Sequence, residues 1–217
     1  MGARSTTSIL APVDTLLCIG AHSDDIEIGA GGTILRIIEE NPGLQVWWVV
    51  LGCAGVRAEE AASAAQLFLE GVEQRHVMVH GFRDGYFPTA LAEIKDGFER
   101  LKGLVSPGLI LTHCREDYHQ DHRVVAELTW NTFRSHRILE YEIPKYEGLM
   151  VQPNCFVTLD EATARRKVDH LMKAFASQRS KHWFTPDTFT GLMRLRGIES
   201  GAPGRFAEGF TARKIVF

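Results

Sequence analysis

The stretch TLLCIGAHSDDIEIGAGGT, residues 15–33, joins an apolar run to a loop that carries one histidine and three carboxylates. Residues 15–20 predict a buried β-strand, and the apolar residues at 34–38 predict that a helix follows the loop. In an open parallel sheet, ligands bind where strands end and helices begin. This stretch therefore predicts an α/β fold with its functional site in the loop at residues 21–25.

The residue types in the loop predict a metal site. His22 and Asp25, three positions apart, offer an imidazole nitrogen and a carboxylate oxygen to one ion, and Asp24 stands beside them. Catalytic zinc typically takes about three protein ligands and keeps one position open for water. The best source of a third ligand is HQDH at residues 119–122, shortly after the apolar strand predicted at residues 109–112. Two strand-end loops would then converge on one zinc ion.

Length and charge limit the classes of function. The 217 residues predict one α/β domain over residues 1–217, long enough to bury a substantial core. With 24 basic and 27 acidic residues the formal net charge is −3, which argues against nucleic acid or an anionic membrane as a partner. A small-molecule substrate is the more natural partner. The longest apolar run, residues 44–56, is too short to span a bilayer.

The four cysteines lack the C-x-x-C spacing of a zinc or redox motif. They predict reduced, mostly buried thiols in a cytoplasmic protein rather than a disulfide framework. A thiolate zinc site is the alternative, with Cys114 as its first candidate. Because histidines and carboxylates already supply a complete ligand set, that alternative is disfavoured.

Alternating strand and helix patterns continue along the chain. Further strands are predicted at residues 45–51, 76–80 and 109–112, and helices at residues 57–70, 90–104 and 124–133. This alternation predicts a Rossmann-like, doubly wound and mostly parallel sheet flanked by helices. The remainder predicts short strands at 138–142 and 156–157, a helix at 161–176, a Gly/Pro-rich loop over the site at 197–209 and a closing strand at 214–217.

Two motifs connect the predicted site to a known family. A-H-S-D-D at residues 21–25 and H-Q-D-H at residues 119–122 resemble the A-H-P-D-D and H-P-D-H motifs of the LmbE-like, or PIG-L-type, zinc-dependent N-acetylglucosaminide deacetylases. Ser23 and Gln120 replace the two family prolines. The resemblance implies the same Rossmann-like fold. It extends over nearly the whole chain through Arg57, Glu60, Ser177-Gln178, Arg196-Gly197 and residues 206–210, FAEGF.

The resemblance also implies a role for each charged residue of the two motifs. The zinc ligands that it implies are His22, Asp25 and His122. Asp24 is implied to be the general base that takes a proton from the attacking water, whereas the residues alone also allow it to act only by orienting a ligand. His119, kept protonated by Asp121, is implied to stabilise the oxyanion. The alternative for His119 is a fourth ligand, which would close the coordination shell.

Residues outside the ligand set are predicted to contact substrate: Arg57, Asp117, Arg196 and Glu208. Arg57 follows the second strand and reaches toward the cleft, although a helix-surface pair with Glu60 is the alternative. Asp117 has an alternative role in a turn. His113, at the end of the fourth strand, is predicted to pack rather than to bind. Three aromatic residues can either stack on a sugar face or pack in the interior: Tyr86, Phe87 and Trp183.

These observations predict a cytoplasmic zinc hydrolase that removes the acetyl group from an N-acetylated amino sugar or sugar conjugate. The alternatives are a zinc amidase acting on a thiol- or antibiotic-conjugated sugar, and a non-catalytic sugar- or nucleotide-binding module. Glycines at residues 29–32 invite a dinucleotide-binding interpretation, but G-x-G-x-x-G spacing is not met and close packing of helix on strand explains them better. The resemblance also allows a homo-oligomer.

Overall fold

The computed structural model describes residues 12–144, 146 and 151–215, which form a sheet covered by helices on both faces. The strands are β1 Thr15–His22, β2 Gln45–Gly52, β3 Gln74–Val79, β4 Leu109–His113, β5 Ile138–Tyr141, β6 Cys155–Leu159 and β7 Phe206–Thr211. The α-helices are α1 Asp25–Glu40, α2 Val56–Phe68, α3 Leu91–Leu104, α4 Gln120–Thr132, α5 Glu161–Ala174 and α6 Pro186–Glu199. Short 3₁₀ turns occupy Phe87–Ala90 and Ala176–Gln178.

The sheet has seven strands in the order β3-β2-β1-β4-β5-β7-β6. Strands β1 to β5 pair in parallel, whereas β7 runs antiparallel to both β5 and β6. The chain winds outward from β1 in one direction through β2 and β3, and in the other through β4 and β5. The predicted doubly wound, Rossmann-like sheet is therefore confirmed. The crevice beyond the carboxyl ends of β1 and β4 is the switch point at which such sheets bind ligands.

Continuous hydrophobicity in the central strands follows from helices packing on both faces. Along β1, Leu16 and Cys18 belong to the core on the α1, α2 and α5 side. Leu17 and Ile19 belong to the core on the α3 and α4 side. Both layers exclude water from β1, so the strand that leads into His22 is held rigidly.

The glycines of α1 are explained by close packing. A Cβ atom on Gly29 would lie 2.3 Å from a ring atom of Tyr141 on β5, so only glycine lets the helix approach the sheet this closely. The Tyr141 hydroxyl in turn donates to the Ile19 carbonyl at 2.7 Å. This contact sets α1, and with it the loop that precedes it, against the switch point.

The C-terminal part of the fold differs from the prediction. The predicted loop at 197–209 instead contains the end of α6 and most of β7, an interior strand of the sheet. A Cβ atom on Gly197 would lie 2.1 Å from the Arg205 carbonyl oxygen, so this glycine permits a close helix–strand contact rather than marking a flexible loop. Of the closing strand predicted at 214–217, Lys214 and Ile215 lie outside any strand, and the last two residues lie outside the described part of the chain.

Two further features of the described residues are the state of the cysteines and the length of the helices. The cysteines Cys18, Cys53, Cys114 and Cys155 are all free and buried. Within the described residues, every helix is too short or too polar to cross a bilayer.

Candidate metal centre and active site

Three side chains converge at the switch point in the geometry of a metal-binding triangle. His22 ends β1, Asp25 begins α1, and His122 lies in the first turn of α4. His22 Nδ1 lies 3.1 Å from His122 Nε2 and 3.3 Å from Asp25 Oδ2, and the last two atoms are 3.4 Å apart. Ligands held at about 2.0–2.2 Å around a tetrahedral zinc ion are separated by roughly these distances. The three residues therefore fit one divalent cation.

The imidazole rings of His22 and His122 each have one nitrogen in the triangle. The second nitrogen of each ring contacts a carboxylate oxygen. His22 Nε2 lies 3.1 Å from an oxygen of Asp121 and 3.1 Å from an oxygen of Asp84. His122 Nδ1 lies 3.0 Å from Asp117 Oδ2. Metal-binding histidines usually have such a partner, because it fixes the ring and leaves the opposite nitrogen free to bind the ion.

The electrostatics of the triangle favour positive charge. Burial alone would lower the pKa of His22, but the charge of Asp25 and hydrogen bonds with Asp121, Asp25 and Asp84 raise it to about 12. Burial would raise the pKa of Asp25, yet His122, His113 and His22 hold it well below its ordinary value. A histidine must lose its proton to ligate a metal. Cation binding here would therefore release a proton.

Asp121 contacts a metal-site histidine that was not its expected partner, His22. Its carboxylate bonds to His22 and accepts from the backbone N–H groups of Gly85 and Phe87 at 2.6 and 3.0 Å. It therefore positions His22, because the side chain of Asp121 points from the first turn of α4 toward the end of β1. Its predicted action on His119 stays a prediction.

His119 is placed as a hydrogen-bond donor. It is the N-cap residue of α4, and its Nδ1 accepts from the Asp121 backbone N–H at 3.2 Å. A neutral imidazole whose Nδ1 accepts carries its proton on Nε2. This tautomer, assigned from the hydrogen bond, puts an N–H on Nε2; His119 also forms with His22 and His122 a group that could hold a metal ion, so both predicted roles stay open.

Asp24 lies beside the triangle and is linked to α2. It is 5% exposed, and its Oδ1 accepts from Arg57 Nη2 at 3.1 Å. Burial raises the pKa of Asp24, and the neighbouring Arg57 opposes that rise only in part. Among the described residues Asp24 makes no side-chain cap to α1, so helix capping does not account for it. A buried carboxylate of raised pKa next to a metal site is suited to accept a proton.

Arg57 joins the loop at residues 21–25 to α2. Besides Asp24, it contacts Ser23, whose Oγ accepts from Arg57 Nε at 2.6 Å. Ser23 thus links the loop to Arg57 through a side-chain hydrogen bond. The alternative pairing of Arg57 with Glu60 is wrong, because Glu60 accepts from the N–H and hydroxyl of Ser177 at 2.8 and 2.6 Å.

The site opens into a cavity of about 320 Å³, enough for a sugar-sized ligand. Its inner part contains the triangle together with Asp24, Asp84, Arg57 and His119. Its outer wall is formed by Ile143, Pro144, Tyr146, Gln178, Lys181, His182 and Trp183. Of the aromatic residues considered above, Trp183 lines this cavity, whereas Phe87 is fully buried.

Three of the predicted substrate contacts are placed elsewhere. Asp117 is buried beside His122 and also accepts from the His119 backbone N–H at 2.8 Å, so it supports the candidate metal site. Arg196 is 5% exposed and forms a two-bond ion pair with Glu142, at 2.7 and 2.6 Å. This pair anchors α6 to the end of β5, a structural role.

Glu208 is likewise structural. Its two oxygens accept from the backbone N–H groups of Gly32 and Thr33, at 2.9 and 2.7 Å, and one also binds Lys167 Nζ at 2.6 Å. Lys167 also donates to the Ile28 carbonyl at 2.6 Å. The buried pair therefore satisfies backbone groups in the middle of α1 and fixes α1 to α5 and β7.

Replacing Glu208 with alanine should cost about 3–5 kcal/mol of unfolding free energy, because it leaves the Lys167 ammonium buried without its counter-ion. Chemical denaturation with and without the substitution measures this loss. Glu161→Ala, which breaks an exposed pair with Arg165, is the control and should cost less than about 1 kcal/mol. A Glu208→Ala protein as stable as the wild type would contradict the structural role.

Two further residues complete the site. His113 is fully buried; its Nε2 accepts from the Ala21 N–H at 2.9 Å and lies 3.3 Å from Asp25 Oδ2. It holds the loop at residues 21–25 in place, and it forms with Asp25 and His122 a second group that could hold a metal ion, so its expected role in packing alone stays a prediction. Asp84 was not among the predicted site residues; its only signal is the Asp-Gly turn after the predicted third strand.

The fold and site together define a Rossmann-like α/β protein with a candidate His₂Asp metal centre at the switch point. Residues 17–133 match the family model described as PIG-L: GlcNAc-PI de-N-acetylase. That match covers more than half of the chain and includes both motifs. The chain belongs to the PIG-L family, as the resemblance of the two motifs implied.

Individual relatives are more distant. The curated "Uncharacterized deacetylase YaiS" of Escherichia coli K12 is 27% identical over 73% of this chain and 89% of its own length. The conserved protein TT1542 of Thermus thermophilus is 22% identical, with a TM-score of 0.71 over 94% of this chain and 96% of that one.

Two solved structures with named activities share the fold. N,N'-diacetylchitobiose deacetylase of Pyrococcus horikoshii has a TM-score of 0.66 at 19% identity, over 92% of this chain and 83% of its own. GalB of Pseudomonas putida KT2440, a 4-carboxy-2-hydroxymuconate hydratase, has a TM-score of 0.67 at 18% identity, over 94% and 98%. Because one fold carries both reactions, the reaction has to be argued from the site.

Proposed function

We propose that this protein is a zinc-dependent hydrolase that removes the acetyl group from an N-acetylated amino sugar or sugar conjugate. The observation that carries the proposal is the triangle of His22, Asp25 and His122 with Asp24 and the His119 Nε2–H beside it. Membership in a family whose description is that of a de-N-acetylase supports the choice of an amide as substrate. The cavity of about 320 Å³ fits one sugar ring near the triangle.

Amide hydrolysis requires an activated water, a partner for the oxyanion and a proton for the departing amine. A zinc ion supplies a Lewis acid for the carbonyl and lowers the pKa of water toward about 7. Asp24 accepts a proton as water attacks the carbonyl carbon. The His119 Nε2–H donates a hydrogen bond to the oxygen that gains negative charge.

Collapse of the tetrahedral species breaks the carbon–nitrogen bond. The proton taken up by Asp24 passes to the nitrogen, so the free amine leaves together with acetic acid, which then ionises to acetate in solvent, and the carboxylate of Asp24 returns to its starting state. Arg57 donates to Asp24 Oδ1 and limits the motion of this carboxylate during both transfers. Trp183 offers an apolar face to the sugar ring.

Acetate release from a panel of substrates tests this proposal. Zinc-loaded protein is incubated with N-acetylglucosamine, its phosphate and glycoside derivatives, thiol-conjugated and glycopeptide-antibiotic N-acyl sugars, and simple acetamides. We expect hydrolysis of at least one N-acetylated sugar, and none after zinc is removed by a chelator. Absence of acetate from every compound would reject the proposal and favour a binding module.

Ser23 is expected to tune the rate through Arg57. Removing its hydroxyl in Ser23→Ala leaves Arg57 Nε without its partner, so Asp24 is held less firmly and kcat should fall by about 5- to 10-fold. Zinc content should be unchanged. Steady-state kinetics on the best substrate of the panel measures the change. Ser63→Ala, on the exposed face of α2, is the control, and equal rates for the two variants would show that the hydrogen bond is unimportant.

A further inference from the structure

A second cavity, named the α3 cavity, has a volume of about 140 Å³ and lies between α3 and the part of the sheet next to its β3 edge. Its floor consists of Ile19 on β1 and of Val49 and Leu51 on β2, all of them buried. The remaining apolar side chains come from β3, the loop after it and α3: Met78, Phe82, Phe98, Leu101 and Leu104. Among the described residues none lines both this cavity and the one at the candidate metal centre, so the two are separate.

The α3 cavity has room because α3 carries a glycine beside it. Beyond the adjacent residues and the helix backbone, the nearest neighbour of a Cβ atom on Gly97 would be Arg100 Nη2, at 3.9 Å. Gly97 therefore faces open space, although glycine inside a helix is destabilising relative to alanine. Protein interiors contain few voids larger than a water molecule, so an apolar space of this size is a candidate ligand site.

The volume and the lining define the hydrophobic part of a ligand. An apolar cavity of about 150 Å³ in a protein interior stays dry and binds benzene. The α3 cavity has nearly that volume, and its side chains are apolar except for two. A benzene-sized hydrocarbon ring therefore fits it, whereas a sugar ring would bury hydroxyl groups without partners.

The two polar side chains of the lining, His80 and Arg100, define the rest of the ligand. Among the described residues, neither side chain forms a hydrogen bond or an ion pair. Glu99, the neighbour of Arg100 in the chain, pairs with Lys95 instead. Burial and the charge of Arg100 lower the pKa of His80, so its imidazole is neutral at pH 7 and carries one N–H donor. Because Arg100 is exposed and His80 is half-buried, both donors lie at the mouth of the cavity.

A carboxylate is the group that pairs with both donors. A guanidinium binds carboxylate oxygens through charge-assisted hydrogen bonds, and the imidazole N–H can donate to the same group. An ammonium group would be repelled by Arg100, and an uncharged hydrocarbon would leave both donors to water. The charge at the mouth therefore selects an anion over a cation.

We propose that the α3 cavity is a second ligand site, which binds a small apolar carboxylic acid in its ionised form. The hydrocarbon part fills the cavity, and the carboxylate lies at the mouth against His80 and Arg100. The site uses no residue of the proposed reaction, so the inference goes beyond the proposed function and does not depend on it.

Calorimetric titration with benzoate, benzamide and benzylammonium tests the site, because the three probes share one ring and differ in charge. For the wild type we expect benzoate to bind with a Kd of about 1 mM or tighter, and benzylammonium at least about tenfold more weakly. Removal of zinc by a chelator should change the affinity for benzoate by less than about twofold, since the two cavities share no residue. Benzoate held at the candidate metal centre would instead be lost with the metal.

Two variants locate the bound molecule. Gly97→Leu places a side chain in the cavity and should weaken benzoate binding by about tenfold or more. Gly103→Leu, on the same helix with no neighbour within 4 Å, is its matched control and should bind benzoate as the wild type does. Arg100→Gln removes the cation and should weaken benzoate by about 5- to 10-fold but benzamide by less than about twofold. Lys102→Gln, which removes an exposed charge from the same helix, is the control for Arg100→Gln.

Four results would overturn the proposal. They are no binding of benzoate to the wild type at about 10 mM, loss of binding together with zinc, equal binding by Gly97→Leu and Gly103→Leu, and equal losses of benzoate and benzamide in Arg100→Gln. Melting curves verify that the variants fold, and Arg100→Gln, at an exposed position, decides the question if Gly97→Leu does not. A change of oligomeric state in Gly97→Leu but not in Gly103→Leu would also overturn the proposal, because the mouth of the cavity would then be a contact between copies of the chain.

Discussion

Replacing Asp24 with asparagine should reduce kcat by about 10³-fold or more while leaving the metal site intact. Asparagine keeps an oxygen that can accept from Arg57 Nη2, which lies 3.1 Å from Asp24 Oδ1, so the loop should keep its shape. It cannot accept a proton from the attacking water. Acetate release under saturating substrate, together with zinc content per chain, measures both parts of the expectation.

The control for this prediction is Asp96→Asn, an exposed carboxylate on α3. It should retain the wild-type rate. If Asp24→Asn also hydrolysed the substrate at the wild-type rate, the proton would have another acceptor, and Asp84 would be the next residue to test, since it lines the same cavity. If Asp24→Asn lost its zinc, the role of Asp24 would be to orient a metal ligand rather than to accept a proton.

The sequence was sufficient to predict the half of the fold that contains the site. Strands β1, β2 and β4 are continuous apolar runs because helices cover both of their faces, and polar residues follow where β1 and β4 end. Parallel strands bring those ends to one edge of the sheet. For that reason His22, Asp25 and His122 were predicted to converge, and the structure brings them together; their role as zinc ligands is still a prediction.

The partners of the supporting carboxylates could not be predicted in the same way. Asp121 lies within the motif at residues 119–122, and Asp117 lies two residues before it. Even so, Asp121 contacts His22 on β1, whereas Asp117 contacts His122 on α4. Which imidazole each carboxylate meets depends on the path of the Gly85–Phe87 segment, whose N–H groups hold Asp121. That path is set by tertiary packing and has no local sequence signal.

The C-terminal residues were misplaced for a related reason. Glycine and proline residues between 197 and 209 are typical of loops. Gly197, however, is a helical residue whose missing Cβ lets α6 lie close to the start of β7. Arg196 and Glu208 are charged residues in a motif, which suggested contact with substrate. Both instead form buried ion pairs, with Glu142 and Lys167, that position helices around the site. Sequence alone does not distinguish a buried structural charge from a catalytic one.

The second prediction with a large expected effect concerns zinc binding after a ligand of the candidate metal site is removed. Wild-type protein should bind about one zinc ion per chain, and Asp25→Ala should bind almost none, because the triangle loses its only carboxylate and two imidazoles hold the ion weakly. Elemental analysis of purified and zinc-supplemented protein measures the content. Zinc should also raise the unfolding temperature of the wild type but not of Asp25→Ala, since a ligand that binds only the folded state stabilises it.

Two further variants make the metal prediction specific to the triangle. Asp25→Asn keeps the side-chain size and an oxygen to accept from the His22 N–H, which Asp25 binds at 2.6 Å, so it separates loss of the charged ligand from collapse of the loop. Asp117→Asn should weaken zinc binding by about 10- to 100-fold, because Asp117 only orients His122. The expected order of affinity is therefore wild type, Asp117→Asn, then both Asp25 variants. Equal zinc content in all four proteins would place the metal elsewhere. No zinc in any of them would mean that the three converging side chains bind protons rather than a metal ion.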